Sequence, residues 1–441
     1  MSTYSSPKVS LSAPFLLYSA AESPTEERSR SERVSRTPLP SIETAPIVCI
    51  CHLGWDWVWQ RPQQFLSRFA KKHRVLFVET YCSEVESTAV KLRVAKDHPN
   101  VTIAEMHLPT AKWANDALID RERRFALQSV LEDELRGHFD HPILWFYDPM
   151  AVNAYAGLLD ERLIVYDCMD ELSQFKGAPP ALIEREQMLL RKADVVFCGG
   201  RKMREKRLPL NANTHFYGTG VDISHFGKAR SRGLAVAPEI AALKGKVLGY
   251  FGVIDERIDY DLLARLADAR ADWHVVMVGP TAKVDPNDFP QRPNLHWLGG
   301  RSYEQLPAIT KGFDVCLMPF ALNAATEYIN PTKALEYMAA GRPIVSTAIS
   351  EVKSNFSSVS RVANSHSEFI TWCIREAESP TVARVNAGLK LAAENTWEAI
   401  AAKMQKHISE AAEARVLSAK AAATNTPSTI LPVQSSGLAY V

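Results

Sequence analysis

The sequence predicts an α/β protein built from two doubly wound parallel sheets, and three observations carry that expectation. Short, wholly apolar runs recur, as strands covered on both faces require. Helical periodicity separates them, as βαβ crossovers demand. The alternation occurs twice, on either side of the Gly/Arg/Ala/Pro-rich stretch Gly227–Pro238, so two sheets are expected rather than one. The first series has strands at Ile47–Cys51, Val75–Val78, Ile143–Tyr147, Leu163–Tyr166 and Val195–Cys198, with helices at Arg61–Ala70 and Asp120–Leu135. The second has strands at Val247–Phe251, His274–Val278, Leu295–Leu298, Val315–Met318 and Pro343–Ser346, with helices at Tyr260–Ala269, Pro331–Ala340 and Trp397–His407. Residues 1–44 and 421–441 are rich in Ser, Thr, Pro, Ala or charge and read as a disordered head and a loose tail. The domains are then 45–228 and 239–395, followed by a helix over 396–420 that is free to return to the first domain.

Composition narrows the function classes. A chain of 441 residues is long enough for two or three domains at a prior of ~150 residues each. With 51 basic against 50 acidic side chains, the net charge of +1 argues against nucleic acid as the main partner and allows at most peripheral membrane contact. No apolar run approaches the ~18 residues that span a bilayer, and no secretory leader is recognisable. Seven cysteines without a Cys-x-x-Cys pair point to reduced thiols and a cytoplasmic setting. His215, His225, His274 and His296 lack ligand spacing, so no metal site is expected. No Gly-x-Gly-x-x-Gly follows the first strand, which disfavours a dinucleotide oxidoreductase.

In open α/β sheets ligands bind at the carboxyl ends of the strands, and two such sheets place the default site in the cleft between them. The most informative stretch is Asn330-Pro331-Thr332-Lys333-Ala334-Leu335-Glu336-Tyr337, running on to Gly341-Arg342-Pro343. Asn330 suits an N-cap and Pro331 a first helical position. Lys333 then stands where the helix dipole is positive, a conflict that a bound anion would relieve. Glu336, three residues on, could accept hydrogen bonds from a ribose. An ordinary solvated Lys–Glu pair is the competing explanation. Near the first strand, Gly54 permits close approach of backbone to a phosphate or sugar. Trp55, Trp57 and Trp59 offer rings for stacking on a sugar or for packing. Asp170 either hydrogen-bonds sugar hydroxyls or caps a helix. The run Arg201–Arg207 reads as a solvated helix face before it reads as a lipid contact.

The run Pro-x-Lys-x-x-Glu-Tyr-x-Ala-x-Gly-x-Pro resembles the signature of GT-B glycosyltransferases similar to family 4, the glycosyl transferases group 1. Tyr250-Phe251-Gly252, Asn294–Gly299 and Phe313–Pro319 follow in that family's order, and His52–Pro62 with Tyr166–Glu171 resembles a bacterial polysaccharide and glycolipid branch. The resemblance implies a GT-B fold of two Rossmann-like domains, acceptor side first and donor side second. It implies transfer from a nucleotide-diphosphate sugar to a saccharide or lipid-linked acceptor, with retention, no metal and no cofactor. Arg257 and Lys333 would neutralise the diphosphate, and Glu336 would hold the ribose. Gly252, Leu298, Gly299, Arg301, Asn330 and Thr332 would complete the donor site, together with Glu327 or Tyr328. The family's first glutamate falls on Tyr328, with Glu327 adjacent, and its Gly-Arg pair is Gly252-Val253 here. Asp148 and Asp170 are expected near the reacting centre, and His52, Gly54, Trp55, Asp56, Arg61 and Tyr147 on the N-terminal wall. A nucleotide-sugar 2-epimerase of the same fold and a catalytically silent sugar-nucleotide binder are the alternatives.

Overall fold

A computed structural model describes Leu16–Leu17 and residues 41–424, except Lys176, Ala324, Ala325, Glu327, Tyr328, Asn330 and Pro331. The rest of the expected head, and the tail beyond Thr424, lie outside the described residues. Two sheets are present, as the patterning requires. The N-terminal sheet contains β1 (Leu16–Leu17), β2 (Ile47–Cys51), β3 (Val75–Ser83), β4 (Ala89–Ala95), β5 (His98–Pro109), β6 (Ile143–Phe146), β7 (Leu163–Cys168), β8 (Val195–Cys198) and β9 (Thr214–Phe216), in the order β1-β4-β5-β3-β2-β6-β7-β8-β9. The C-terminal sheet contains β10 (Val247–Phe251), β11 (His274–Val278), β12 (Leu295–Trp297), β13 (Val315–Met318), β14 (Ile344–Thr347) and β15 (Arg361–Ala363), in the order β12-β11-β10-β13-β14-β15. In both, the order reverses beside the first core strand (β2 or β10), which is where a doubly wound sheet opens its crevice.

The predicted strand runs all fall on observed strands, because each is enclosed on both faces. β2 and β10 are buried at every position. The β4–β5 hairpin was not foreseen. It pairs antiparallel at the sheet edge and turns at Asp97, whose φ is 63°. β9 and β15, three residues each, were likewise not foreseen. Leu16–Leu17, within the head expected to be unstructured, pairs with Val90 and Ala89, using backbone groups that the edge strand leaves open.

The Gly227–Pro238 stretch between the two series is docked. Gly227–Arg230 forms a 3-10 turn and Pro238–Ala241 a short helix, and the Ala237 amide donates to the Ala308 carbonyl (3.1 Å). The chain crosses between domains twice, side by side: Val221 bridges Thr396, and a Cβ on Gly220 would lie 2.8 Å from the Trp397 backbone. The final helix, Trp397–Thr424, lies on the N-terminal domain, with Trp397 edge-on to Phe65 at 5.1 Å and Met404 and Ile408 fully buried.

One buried ion pair organises the top of the N-terminal sheet. Arg61 donates to Asp167 through Nε (2.9 Å) and through Nη1 to the carbonyls of Tyr217 (2.7 Å) and Gly218 (3.0 Å), while the Tyr147 hydroxyl donates to the other Asp167 oxygen (2.8 Å). Removing one partner of such a pair leaves the other charge buried. Asp167→Ala should therefore lower unfolding free energy by about 3–5 kcal/mol in denaturant titration, and the double variant Arg61→Met/Asp167→Ala should recover part of the loss.

Candidate active site

The C-terminal wall is built from the loops that follow β10, β11 and β12. Gly252 leaves β10 with φ +143°. A Cβ there would lie 1.9 Å from Lys333 Cε and 2.6 Å from Nζ, so the missing side chain is the space through which Lys333 reaches. Gly279, after β11, packs as closely: its Cβ would lie 1.7 Å from the Gly252 carbonyl oxygen. The Gly252 amide donates to Val278 (2.8 Å) and the Gly279 amide to Gly299 (2.9 Å), so the three loops form one stack.

Lys333 opens the helix Lys333–Ala339, is half-buried, and places Nζ 5.4 Å from the Tyr250 ring. Burial lowers its amine from the ordinary value to about 8; Glu336 works against that shift, and Arg257 adds to it. Burial raises the Glu336 carboxyl to about 7, with Lys333 opposing. Arg257 is clasped by Asp255, Nε 3.0 Å from both carboxylate oxygens and Nη2 2.6 Å from Oδ2. Burial disfavours its charge, and Asp255 more than offsets that. Asp170, from the N-terminal domain, acts electrostatically on both Lys333 and Arg257, so the cations face the opposite lobe. Asp170 also lines a cavity of about 60 Å³ with Arg61, Met169, Gly199, Thr219 and Trp397. Phe175 reaches across as well. Its ring lies 5.7 Å from the Arg257 guanidinium and 4.7 Å from the ammonium of Lys283, a cation that the sequence reading missed.

Other expected residues are placed differently. Arg301 does not reach toward the stack; it folds back on the Leu298 (2.6 Å) and Gly300 (2.9 Å) carbonyls and pairs with Glu239 (3.0 Å), stiffening its own loop. Thr332 holds the N-cap position without a side-chain bond. Asn330, Glu327 and Tyr328 lie outside the described residues. On the N-terminal wall, Trp55 is 2 % exposed and sits edge-on to Phe77 (5.1 Å) and Trp59 (5.7 Å), so it is core rather than a stacking platform. Trp57 is the exposed ring of the three. Tyr147 is buried, its hydroxyl committed to Asp167 and its carbonyl 3.0 Å from His52 Nδ1. Asp148 caps the turn Pro149–Ala151 through the Met150 amide (2.9 Å) and lies 3.6 Å from Arg123, a structural role in place of the expected catalytic one. Asp56 pairs with Arg93 (2.7 Å). Arg61 is bound up in the buried Asp167 pair. Gly54 is held at its carbonyl by Gln63 (3.1 Å). The run Arg201–Arg207 keeps an exposed face in Arg201, Glu205 and Lys206, while Arg207 is buried against Glu171 and Glu186 (2.7 Å each) and Arg204 donates to the Thr214 carbonyl. Across the domains, Glu351 accepts from the Arg201 amide (2.7 Å). Among the described residues no group of three or more His, Cys, Asp or Glu is arranged to hold a metal, and no helix is long and apolar enough to cross a membrane.

Two doubly wound domains facing a cleft, joined at paired crossings and closed by a returning C-terminal helix, define the GT-B class. Solved structures share this fold: a trehalose-6-phosphate protein from E. coli bound with UDP-2-fluoro glucose (14% identity, TM-score 0.59, 83% of this chain and 99% of that one), and HepE from Anabaena in complex with UDP and glucose (12%, 0.60, 83% and 100%). Residues 245–368, within the C-terminal domain, match the family model described as glycosyl transferases group 1. A putative teichuronic acid biosynthesis glycosyltransferase, TuaH of Bacillus subtilis, is 26% identical over 225 residues, 46% of this chain and 55% of that protein. The chain thus spans about half the length of this curated relative.

Because Gly252 is the opening for Lys333, Gly252→Ala should strain a left-handed position and displace the lysine. About 1–3 kcal/mol of stability should be lost, and nucleoside-diphosphate binding should fall more than thermal stability does, by calorimetry against melting temperature.

Proposed function

We propose that this protein is a metal-independent, retaining glycosyltransferase that moves a sugar from a nucleoside-diphosphate sugar to a saccharide or lipid-linked acceptor in the cytoplasm. The observation that carries the reading is Lys333: a half-buried ammonium beside the glycine stack, with Arg257 adjacent and Asp170 of the other lobe opposite. A departing nucleoside diphosphate gains negative charge as its bond to the sugar breaks, and fixed cations in a drying cleft stabilise that charge without reorganising. Lys333 and Arg257 supply it, and Glu336 accepts hydrogen bonds from the ribose hydroxyls. The Leu298–Gly300 backbone meets the base, and the His52–Trp57 loop with Asp170 faces the acceptor. The solved relatives carrying UDP-2-fluoro glucose, or UDP and glucose, support a UDP-sugar as the first donor to test. The printed name of TuaH supports a polysaccharide acceptor.

A thermal-shift series with UDP-glucose, other UDP-sugars, GDP-mannose and free UDP tests the donor class. A ligand at a hundred times its dissociation constant adds about 2.7 kcal/mol to the folded state, so one donor family should raise the melting temperature and the others should not. No shift with any nucleotide overturns the reading. Lys333→Ala and Glu336→Ala should each cut transfer by roughly 100-fold or more while leaving the melting temperature of the free protein close to wild type.

A diphosphate docking beside Lys333 stabilises its protonated form, raising the amine above its free value of about 8. Near pH 8.5 binding should therefore take up protons. Calorimetry in buffers of different ionisation enthalpy should register the uptake, and Lys333→Ala should abolish it.

A further inference from the structure

We propose that Glu79 is a positioning residue for the acceptor half of the site, holding the His52–Trp57 loop in its cleft-facing form; the acceptor assignment rests on the transferase reading. Glu79 sits at the middle of β3, opposite Cys51 at the carboxyl end of β2, and is 3 % exposed. Its Oε2 accepts from the Trp55 amide at 2.6 Å, its carboxylate is hydrogen-bonded by Tyr81, and its Oε1 lies 3.7 Å from Arg93. Gly54 lies directly on this group: a Cβ there would be 2.8 Å from the Tyr81 hydroxyl and 3.4 Å from Glu79 Oε2. From the other side Gln63 donates to the carbonyls of Gly54 and Trp55, both at 3.1 Å. Arg93 in turn holds Asp56 of the same loop and also pairs with Glu105. A strand carboxylate, a helix amide and a shared guanidinium thus fix a turn that no regular backbone ladder supports.

Such a turn depends on the carboxylate keeping two donors at once, the Trp55 N–H and the Tyr81 O–H. Burial raises Glu79 to about 7. The charged and titratable groups facing it are Arg93 on β4, Tyr81 on β3, Glu105 on β5 and Cys51 on β2, with Asp56 and Lys91 one contact behind. Protonation removes the charge that strengthens the bonds from the Trp55 N–H and the Tyr81 O–H and the attraction to Arg93, so the clamp weakens and the loop loosens as pH falls through 7.

Glu79→Gln keeps the shape and tests the charge; Glu79→Ala removes both. Hydrogen exchange over residues 52–59 at pH 8 should quicken by about 10-fold in Glu79→Gln, with exchange near Gly252 and Lys333 unchanged and the UDP-induced thermal shift retained. Release of UDP from UDP-glucose to water should persist, while transfer to glucose as acceptor probe falls at least 10-fold. Because Glu336 titrates in the same range and serves hydrolysis and transfer alike, the readout is their ratio: transfer over hydrolysis should climb with pH through 7 in the wild type, and Glu79→Gln should lack that rise. Unaltered loop exchange in Glu79→Gln overturns the proposal, as does a parallel fall of hydrolysis and transfer with the wild-type pH profile kept. If UDP does not bind the wild type, the transferase reading fails while the exchange measurement still judges Glu79. If Glu79→Ala does not fold, the near-isosteric Glu79→Gln decides.

Discussion

The arrangement of the C-terminal lobe depends on one steric fact: at Gly252 there is no side chain. The loops after β10, β11 and β12 approach within hydrogen-bonding distance only because Gly252 and Gly279 bring nothing between them. The same absence opens the path by which Lys333, from an element about eighty residues further along the chain, reaches the cleft. A cation brought in this way loses much of its hydration, and the lowered amine is the direct expression of that loss. An under-solvated ammonium gains from any anion brought beside it, so steric design of the backbone and electrostatic readiness of the site have a single origin.

The two cations flanking the cleft are prepared in different ways. Among the described residues Lys333 has a neighbouring Glu336 three residues away and no carboxylate clamp, and its proton affinity is reduced. Arg257 is gripped in a fork by Asp255, which keeps it charged and fixes its orientation, and the Phe175 ring covers it from the other lobe. A guanidinium keeps donors outside such a fork, because its five N–H groups exceed what one carboxylate takes. The aromatic face shared with Lys283 satisfies the cations weakly compared with a phosphate. The lobes therefore meet through contacts that an anionic ligand can outbid, whereas Glu351 at the Arg201 amide and the paired crossings at Val221 and Thr396 hold the hinge side.

What the sequence disclosed follows from which physical signals are local. Parallel strands such as Val247–Phe251 and Val195–Cys198 were legible because burial on both faces writes an uninterrupted apolar run. The β4–β5 hairpin carries the other strand signal, the strict alternation Val90-Lys91-Leu92-Arg93-Val94, which a search for uninterrupted apolar runs passes over. Lys333 and Glu336 were legible because helix geometry sets them on one face. Arg257 was reached only through resemblance, since nothing local distinguishes it from any other loop arginine. Tyr147, Asp148 and Trp55 turn inward for a common reason: residues at strand ends face either the cleft or the polar lid of the domain's own core, and sequence position does not separate the two. Lys283 and Glu79 were missed because their neighbours come from distant elements.

The N-terminal lobe shows how a loop without regular structure can be held as firmly as a strand. Trp55 would be an unlikely anchor on composition alone, yet its ring is buried among Phe77, Trp59 and His98 while its amide is taken by Glu79. Burying the ring fixes where the loop lies, and binding the amide fixes how it is turned; neither alone defines both. The side chains left exposed are Trp57 and His52, the latter with its Nδ1 3.0 Å from the Tyr147 carbonyl. A polar ring nitrogen and an apolar face, set on a rigid turn, match the two surfaces of a sugar, whose hydroxyl edge needs hydrogen bonds and whose C–H face needs a flat partner. Under the transferase proposal the acceptor half follows by elimination: ion pairs, caps and core contacts claim Arg61, Tyr147, Asp148 and Trp55, and the exposed groups left are the ones offered to a saccharide.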